Sequence, residues 1–309
     1  MRRKTTVAVQ SSGTILNVLA ARVMALTALM LALTAPWTVQ FVAAAPDFTI
    51  WTVGNEADAQ SDPRGGIALM DGGPDVDDAF RWMLSQSHGG DVVVIRTPGG
   101  DGYNEYIAGS DQAEYLRFWK DTPLEAAITT RVAEGMTIGG SSAGAVVLGG
   151  HIHSAARGSV TSRVALRTPY DRRVTFASGF LALPGLDSVV IDSHVGERHR
   201  EGRLVAFMAR LAKHSRLPVR GIGLDEGTAV VIDADGDAMV LGSGGALILE
   251  GSHPPQRCTR KKPLTYRSLT GFIAEENDAF DTVTWNGEGI ESVVVSAVRR
   301  SLRMENVDP

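Results

Sequence analysis

The chain has 309 residues with 44% hydrophobic content, enough for a substantial core in one large domain or two small ones. Its net charge of −5 comes from 30 Lys and Arg scattered among 35 Asp and Glu, which leaves no basic stripe and argues against a nucleic-acid partner. Cys258 is the single cysteine, which excludes an internal disulfide and a cysteine-rich metal cluster.

Residues 1–45 are expected to lie outside the fold as a signal peptide or membrane anchor. Arg2, Arg3 and Lys4 make a basic start, Val23 to Trp37 is an apolar run, and Val42 to Ala45 supplies small residues for cleavage. Export to a secreted or extracytoplasmic location is the favoured reading, with an organelle-targeting peptide as the alternative. Residues 46–64 then serve as a linker, and residues 65–309 form one α/β domain.

Gly65 to Met70 is a first buried strand that stops at Asp71-Gly72-Gly73-Pro74. Pro74 is expected to open a helix with Val76, Ala79, Phe80, Met83 and Leu84 toward the core, ended by Gly89-Gly90. Asp91 to Ile95 is the second strand. Continuous apolar runs alternating with helices predict a parallel sheet covered on both faces. After a loop over residues 97–110, residues 111–131 are helical and broken at Pro123, with Tyr115, Phe118, Trp119, Leu124 and Ile128 available for packing.

Met136-Thr137-Ile138 ends a strand, and Ala145 to Leu148 starts a packed helix. Between them Gly140 and Gly144 bracket Ser142 in the G-x-S-x-G pattern, whose small residues permit a strained turn that leaves the serine oxygen accessible. The helix start also aims free N–H groups, Ala143 included, at any oxyanion formed beside the serine. His151 and His153 share one face of an extended segment, a weak metal pair with no third ligand nearby in sequence. Ser159 to Phe180 reads as a surface excursion carrying Arg163, Arg167, Arg172 and Arg173.

Ser188 to Ile191 is another buried strand leading into Asp192-Ser193-His194. In extended chain Asp192 and His194 face one side, which lets the acid steer the imidazole. In the helix that follows, Arg200 reads as a solvated face, while Arg198 and Arg203 stand nearer the histidine. Asp225 and Glu226 interrupt an apolar run from Gly221 to Ile232, and their burial there would require a partner such as His194 or an arginine. Asp233 to Asp237 is a hairpin turn, and the segments after it read as antiparallel strands.

Ser142, His194 and Glu226 thus make a candidate nucleophile, base and orienting carboxylate, the set that acyl transfer requires. A competing reading has Asp192, His194 and Glu226 bind a divalent ion, which leaves the serine elbow unexplained.

Several stretches together resemble the cyanophycinase and aspartyl dipeptidase family of serine peptidases, in its exported branch. They are Met70 to Gly73, Asp111-Gln112, Gly140 to Ala145, Asp192-Ser193-His194 with Arg198 and Arg203, and Gly221 to Ala229. The resemblance implies a flavodoxin-like fold shared with class I glutamine amidotransferases, with helices on both faces of a parallel sheet and antiparallel C-terminal strands. It places the nucleophile on Ser142, the base on His194 and the third member on Glu226. It puts Gln112, Asp192, Arg198 and Arg203 in the substrate pocket, and Gly73 and Ala143 are candidate oxyanion donors. A peptide or cyanophycin-type polymer is the implied partner, no metal or organic cofactor is implied, and a homodimer is left open.

The sequence departs from that pattern. Tyr106-Ile107-Ala108-Gly109 runs almost directly into Ser110-Asp111-Gln112, where the family inserts further core strands and a helix, so interior strands are expected to be missing. A non-catalytic or binding relative with a truncated core is therefore the alternative function. Ser141, Ser110 and Ser193 replace the threonine, glycine and glutamine that the family favours, and the last bears on substrate specificity.

Overall fold

A computed structural model describes residues 5–10, 48–53, 61–96, 111–216 and 218–307. The strands are β1 (Thr5–Gln10), β2 (Phe48–Val53), β3 (Ile67–Met70), β4 (Val92–Arg96), β5 (Ile138–Ser141), β6 (His151–His153), β7 (Phe176–Ser178) and β8 (Val189–Asp192). They continue as β9 (Val219–Leu224), β10 (Thr228–Ile232), β11 (Asp237–Gly242), β12 (Ala246–Gly251), β13 (Thr265–Ala274), β14 (Ala279–Asp281), β15 (Ser292–Val298) and β16 (Ser301–Asn306).

The architecture is α/β. Parallel pairing joins β1 to β4, β3 to β5, β6 to β8 and β8 to β9. These parallel pairs are divided among three sheets, ordered β2-β1-β4, β14-β11-β10-β3-β5 and β16-β15-β13-β12-β9-β8-β6-β7. Apart from the β8–β9 pair, the pairings made by β9 to β16 are antiparallel, as the C-terminal alternation predicts. Strand β4 pairs with β1, not with β3. Strand β1 lies inside the expected leader and β2 inside the expected linker; the β-branched Thr5-Thr6-Val7 and the Thr49-Ile50-Trp51 run suit strands. The rest of the leader, including its apolar run, and the loop at 97–110 lie outside the described residues.

Strand β3 shows why the central strands are apolar throughout. Ile67 and Leu69 enter one core cluster and Ala68 and Met70 another, so both faces are buried. Strand β10 divides in the same way, with Val230 and Ile232 on one side and Ala229 and Val231 on the other. The helix Asp77–Gln86 covers the second side through Val76 and Ala79. It starts three residues after Pro74, because Pro74 belongs to the bend that carries the chain past the end of β3.

Helices Gln112–Trp119 and Pro123–Ala133 break at Pro123 as the sequence predicts, and Tyr115 and Trp119 are fully buried edge to face at 4.6 Å. Helix Glu201–Leu211 buries Leu204, Phe207 and Met208 against a core formed with Leu249, Tyr266 and Val295. Each such side chain contributes about 1.5–3 kcal/mol by leaving water.

The Ser159 to Phe180 excursion is more than surface. It holds the helix Ser162–Arg167 and β7, and Val160, Leu166, Val174 and Phe180 are buried, because its apolar positions pack on the neighbouring helix and sheet.

Candidate active site

Ser142 follows β5 directly and precedes the four-residue helix Ala143–Val146, at φ 48° and ψ −112°. A non-glycine residue there stores strain that the surroundings must hold. They do so through the Ser142 N–H, which donates to the Met70 carbonyl at 3.0 Å, and the Ser142 carbonyl, which accepts from Val146 N–H at 3.0 Å. Gly140 accounts for the rest of the motif: a Cβ there would lie 2.5 Å from the carbonyl carbon and oxygen of Gly144. Strand and helix backbones touch at that point.

His194 follows β8 in the other sheet, also in left-handed backbone at φ 51°. Its Nε2 lies 2.9 Å from Ser142 Oγ, and its Nδ1 lies 2.7 Å from Glu226 Oε1. The carboxylate fixes the tautomer: Nδ1–H donates to Glu226, and Nε2 accepts from the serine hydroxyl. Burial holds the His194 imidazole below its ordinary pKa, opposed by the Glu226 hydrogen bond and reinforced by Arg198 and Arg200. It is therefore neutral and proton-accepting at neutral pH.

Glu226 lies in the turn between β9 and β10, half-exposed with Asp225, so the charged pair interrupts the strand and is not buried within it. Turn geometry accounts for this, since Gly227 at φ 71° reverses the chain. The Glu226 N–H donates to Glu197 Oε1 at 3.0 Å, and Asp225 Oδ1 accepts the Gly196 N–H at 2.7 Å.

Gly72 and Gly73 make room for these groups. A Cβ on Gly72 would come within 2.7 Å of His194 Cε1, and one on Gly73 within 3.0 Å of the Glu226 Cβ. The Gly73 backbone thus passes beside the histidine–glutamate pair, and Ala143 is the first residue of the helix after the serine. Ala143 adjoins the elbow in sequence, whereas Gly73 stands against the Glu226 side chain.

Asp192 does not steer His194. It forms a buried ion pair with Arg203, Nε to Oδ2 at 2.7 Å and Nη2 to Oδ1 at 2.5 Å, with side chains only 3% and 4% exposed. His194 leaves extended conformation at φ 51°, so the period-2 alternation ends before it and the two side chains diverge. Arg203 also donates to Ser159 Oγ at 2.9 Å. Asp192 and Arg203 therefore form buried scaffolding and do not line an open pocket, which corrects the sequence expectation. The same pairing withdraws Asp192 from the ligand set of the metal reading, and among the described residues no group of three His, Cys, Asp or Glu side chains is placed to hold a metal ion.

Arg198 is exposed near the imidazole, whereas Arg200 is half-buried and donates to the Ser193 carbonyl at 2.8 Å. Burial lowers the Arg200 guanidinium to about 10. Arg200 is thus no solvated helix face; it reaches back over the turn that carries His194. Gln112 opens its helix behind the Asp111 cap, and its amide donates to the His153 carbonyl at 3.3 Å. His153 stacks on Phe207 at 4.4 Å, and its Nε2 meets the Arg173 carbonyl at 3.1 Å, so a structural contact occupies this half of the histidine pair. Ser142, His194 and Glu226 do not line the cavity bordered by Thr122, Ala126, Gly150, His151 and Phe180.

Asp71 is a further site residue, to which the sequence assigns no role of its own. Its carboxylate is fully buried, accepts the backbone N–H of His194 and the Gly72 N–H, and lies 3.6 Å from His194 Nε2. An acid directly after a buried apolar strand was the available signal.

An α/β scaffold with a serine elbow, a histidine at a neighbouring strand end and a carboxylate behind it defines the class of site. The model of peptidase family S51 matches residues 105–240. Cyanophycinase of Geminocystis herdmanii is 32% identical over 228 residues, covering 68% of this chain and 78% of that protein. The chain belongs to peptidase family S51. The cyanophycinases of Trichormus variabilis and a Nostoc species are each 35% identical over 180 residues, 57% of this chain. The chain spans about half the length of these two relatives, 55% in each case.

Proposed function

We propose that this chain is a serine-type peptidase that hydrolyses the isopeptide bond of β-aspartyl-arginine units in a cyanophycin-type polymer. The carrying observation is the continuous hydrogen-bonded line from Ser142 Oγ through His194 to Glu226. The cyanophycinase relatives support the choice of substrate.

In the proposed reaction Ser142 Oγ attacks the scissile carbonyl as Nε2 of His194 takes the hydroxyl proton. Glu226 stabilises the imidazolium that results. The Gly73 and Ala143 N–H groups stabilise the tetrahedral oxyanion, and His194 then protonates the leaving amine. Water, deprotonated by the same imidazole, hydrolyses the acyl-enzyme and restores the serine. These steps use side-chain and backbone groups of the chain alone. Exposed Arg198 is the proposed partner for a substrate carboxylate, with Gln112 at the helix start as a second polar contact.

Export belongs to the same proposal, supported by the basic start and apolar run of residues 1–45. Among the described residues no helix is long and apolar enough to cross a membrane. Incubating the protein with cyanophycin and identifying the products by mass spectrometry tests the activity. Release of β-aspartyl-arginine is the expected result.

A further inference from the structure

We propose that Asp71 is a positioning residue for His194: it holds the histidine main chain in its left-handed turn and sets a second carboxylate beside Nε2. The inference rests on reading Ser142 and His194 as nucleophile and base.

Asp71 follows β3, in the same sheet as the serine strand, while His194 follows β8 in the other sheet. The Asp71 carboxylate spans the two. Oδ1 accepts the Gly72 N–H at 2.7 Å and Oδ2 accepts the backbone N–H of His194. The Asp71 N–H is fixed in turn by the Thr228 carbonyl at 2.9 Å. A left-handed non-glycine residue costs about 1–3 kcal/mol and persists only where its surroundings over-determine it. A charge-assisted bond to the N–H of that residue supplies the constraint. Glu226 orients the ring from Nδ1, and Asp71 Oδ1 stands 3.6 Å from Nε2, the nitrogen that takes the serine proton.

The groups around Asp71 are His194, Glu226, Glu197 and Arg200. Burial pushes the Asp71 carboxyl up to about 7, with Glu197 and Glu226 adding to the rise and the Gly72 and His194 N–H groups opposing it. His194 moves the other way, below its ordinary value. As pH falls through about 7, Asp71 is therefore protonated while the imidazole is still neutral. The imidazolium formed during attack then lacks the second negative charge, and the hold on the His194 N–H weakens. The acid limb of reactivity belongs to Asp71.

The test measures phosphorylation of Ser142 by diisopropyl fluorophosphate against pH, alongside an NMR titration of the His194 ring. In that reaction the Oγ–P bond forms, the P–F bond breaks, His194 takes the hydroxyl proton and fluoride leaves, so no knowledge of the substrate is needed. The unsubstituted protein is expected to lose reactivity near pH 7, above the midpoint at which His194 titrates. Asp71→Asn keeps one of the two acceptor oxygens, sets an NH2 against the other N–H and removes the charge; by analogy with the outer partners of metal-bound histidines its plateau should fall about 10- to 100-fold, and its acid limb should move to the His194 midpoint.

An acid limb coinciding with the His194 midpoint in the unsubstituted protein overturns the inference without recourse to any variant. So does an Asp71→Asn protein with the original rate and limb. Absence of Ser142 labelling in the folded, unsubstituted protein instead removes the nucleophile reading, and this inference with it.

Discussion

Ser142 Oγ lies 2.9 Å from His194 Nε2, and both residues reach that distance from left-handed backbone, at φ 48° and 51°. Two strand ends in different sheets each stop with a sharp turn that throws a side chain forward, and the two side chains meet above the ends. The strain is sustained by contacts that reach beyond each turn, chiefly Ser142 N–H to Met70 O and Asp71 to His194 N–H.

Gly140 is the residue on which the serine turn depends sterically. Alanine there would drive its Cβ to 2.5 Å from the Gly144 carbonyl carbon and oxygen, backbone atoms that cannot rotate away. Gly140→Ala should destabilise the protein by about 1–3 kcal/mol or more and displace Ser142. Thermal unfolding together with the rate of serine labelling checks both effects.

The buried Asp192–Arg203 pair predicts an asymmetric result. Arg203→Met leaves a buried carboxylate without its counter-ion and should cost about 3–5 kcal/mol, whereas replacing both residues with apolar side chains of similar volume should recover most of the loss. Denaturant titration of the single and double variants measures this. A substrate-binding role for Arg203 would appear instead as a raised KM in a protein of unchanged stability.

Asp71 makes stability depend on pH. Its carboxyl rises from an ordinary 3.8 to about 7 on folding, so the native state binds the proton more tightly than the unfolded chain. The stability it contributes is fully present below the unfolded pKa and is lost as pH rises through about 7. Asp71→Asn removes this term, so the stability of the variant relative to the parent should rise by on the order of 2–4 kcal/mol between pH 4 and pH 8, on top of a pH-independent loss from the N–H left without an acceptor. Urea unfolding at the two pH values gives the difference. A relative gain at pH 8 accompanied by slower catalysis would identify a residue whose charge is kept for function at a cost in stability.

Ser142 was legible from its G-x-S-x-G turn, His194 from its place at the end of a buried strand, and Glu226 from its interruption of an apolar run. The α/β alternation and the antiparallel C-terminal strands were legible from the apolar runs. Asp192 was misread because period-2 reasoning assumes extended chain through His194, and the left-handed turn breaks it. Arg200 was misread because helical spacing says nothing of a side chain that reaches back to the Ser193 carbonyl. An acid directly after a buried strand marks Asp71 as needing a partner, but which strand end supplies that partner, here the end of β8, is a matter of long-range packing. The division of the parallel strands among three sheets is likewise a matter of long-range pairing.

The central claim is that Ser142 is the nucleophile of an isopeptide hydrolase. Ser142→Ala removes one oxygen at a half-exposed position and should leave unfolding unchanged within about 1 kcal/mol. The most direct measurement is release of β-aspartyl-arginine from cyanophycin by the parent protein and by Ser142→Ala, both verified as folded. Release by the parent, with none above background from the variant, is the predicted result. Equal release from both, or none from the parent, would contradict the account.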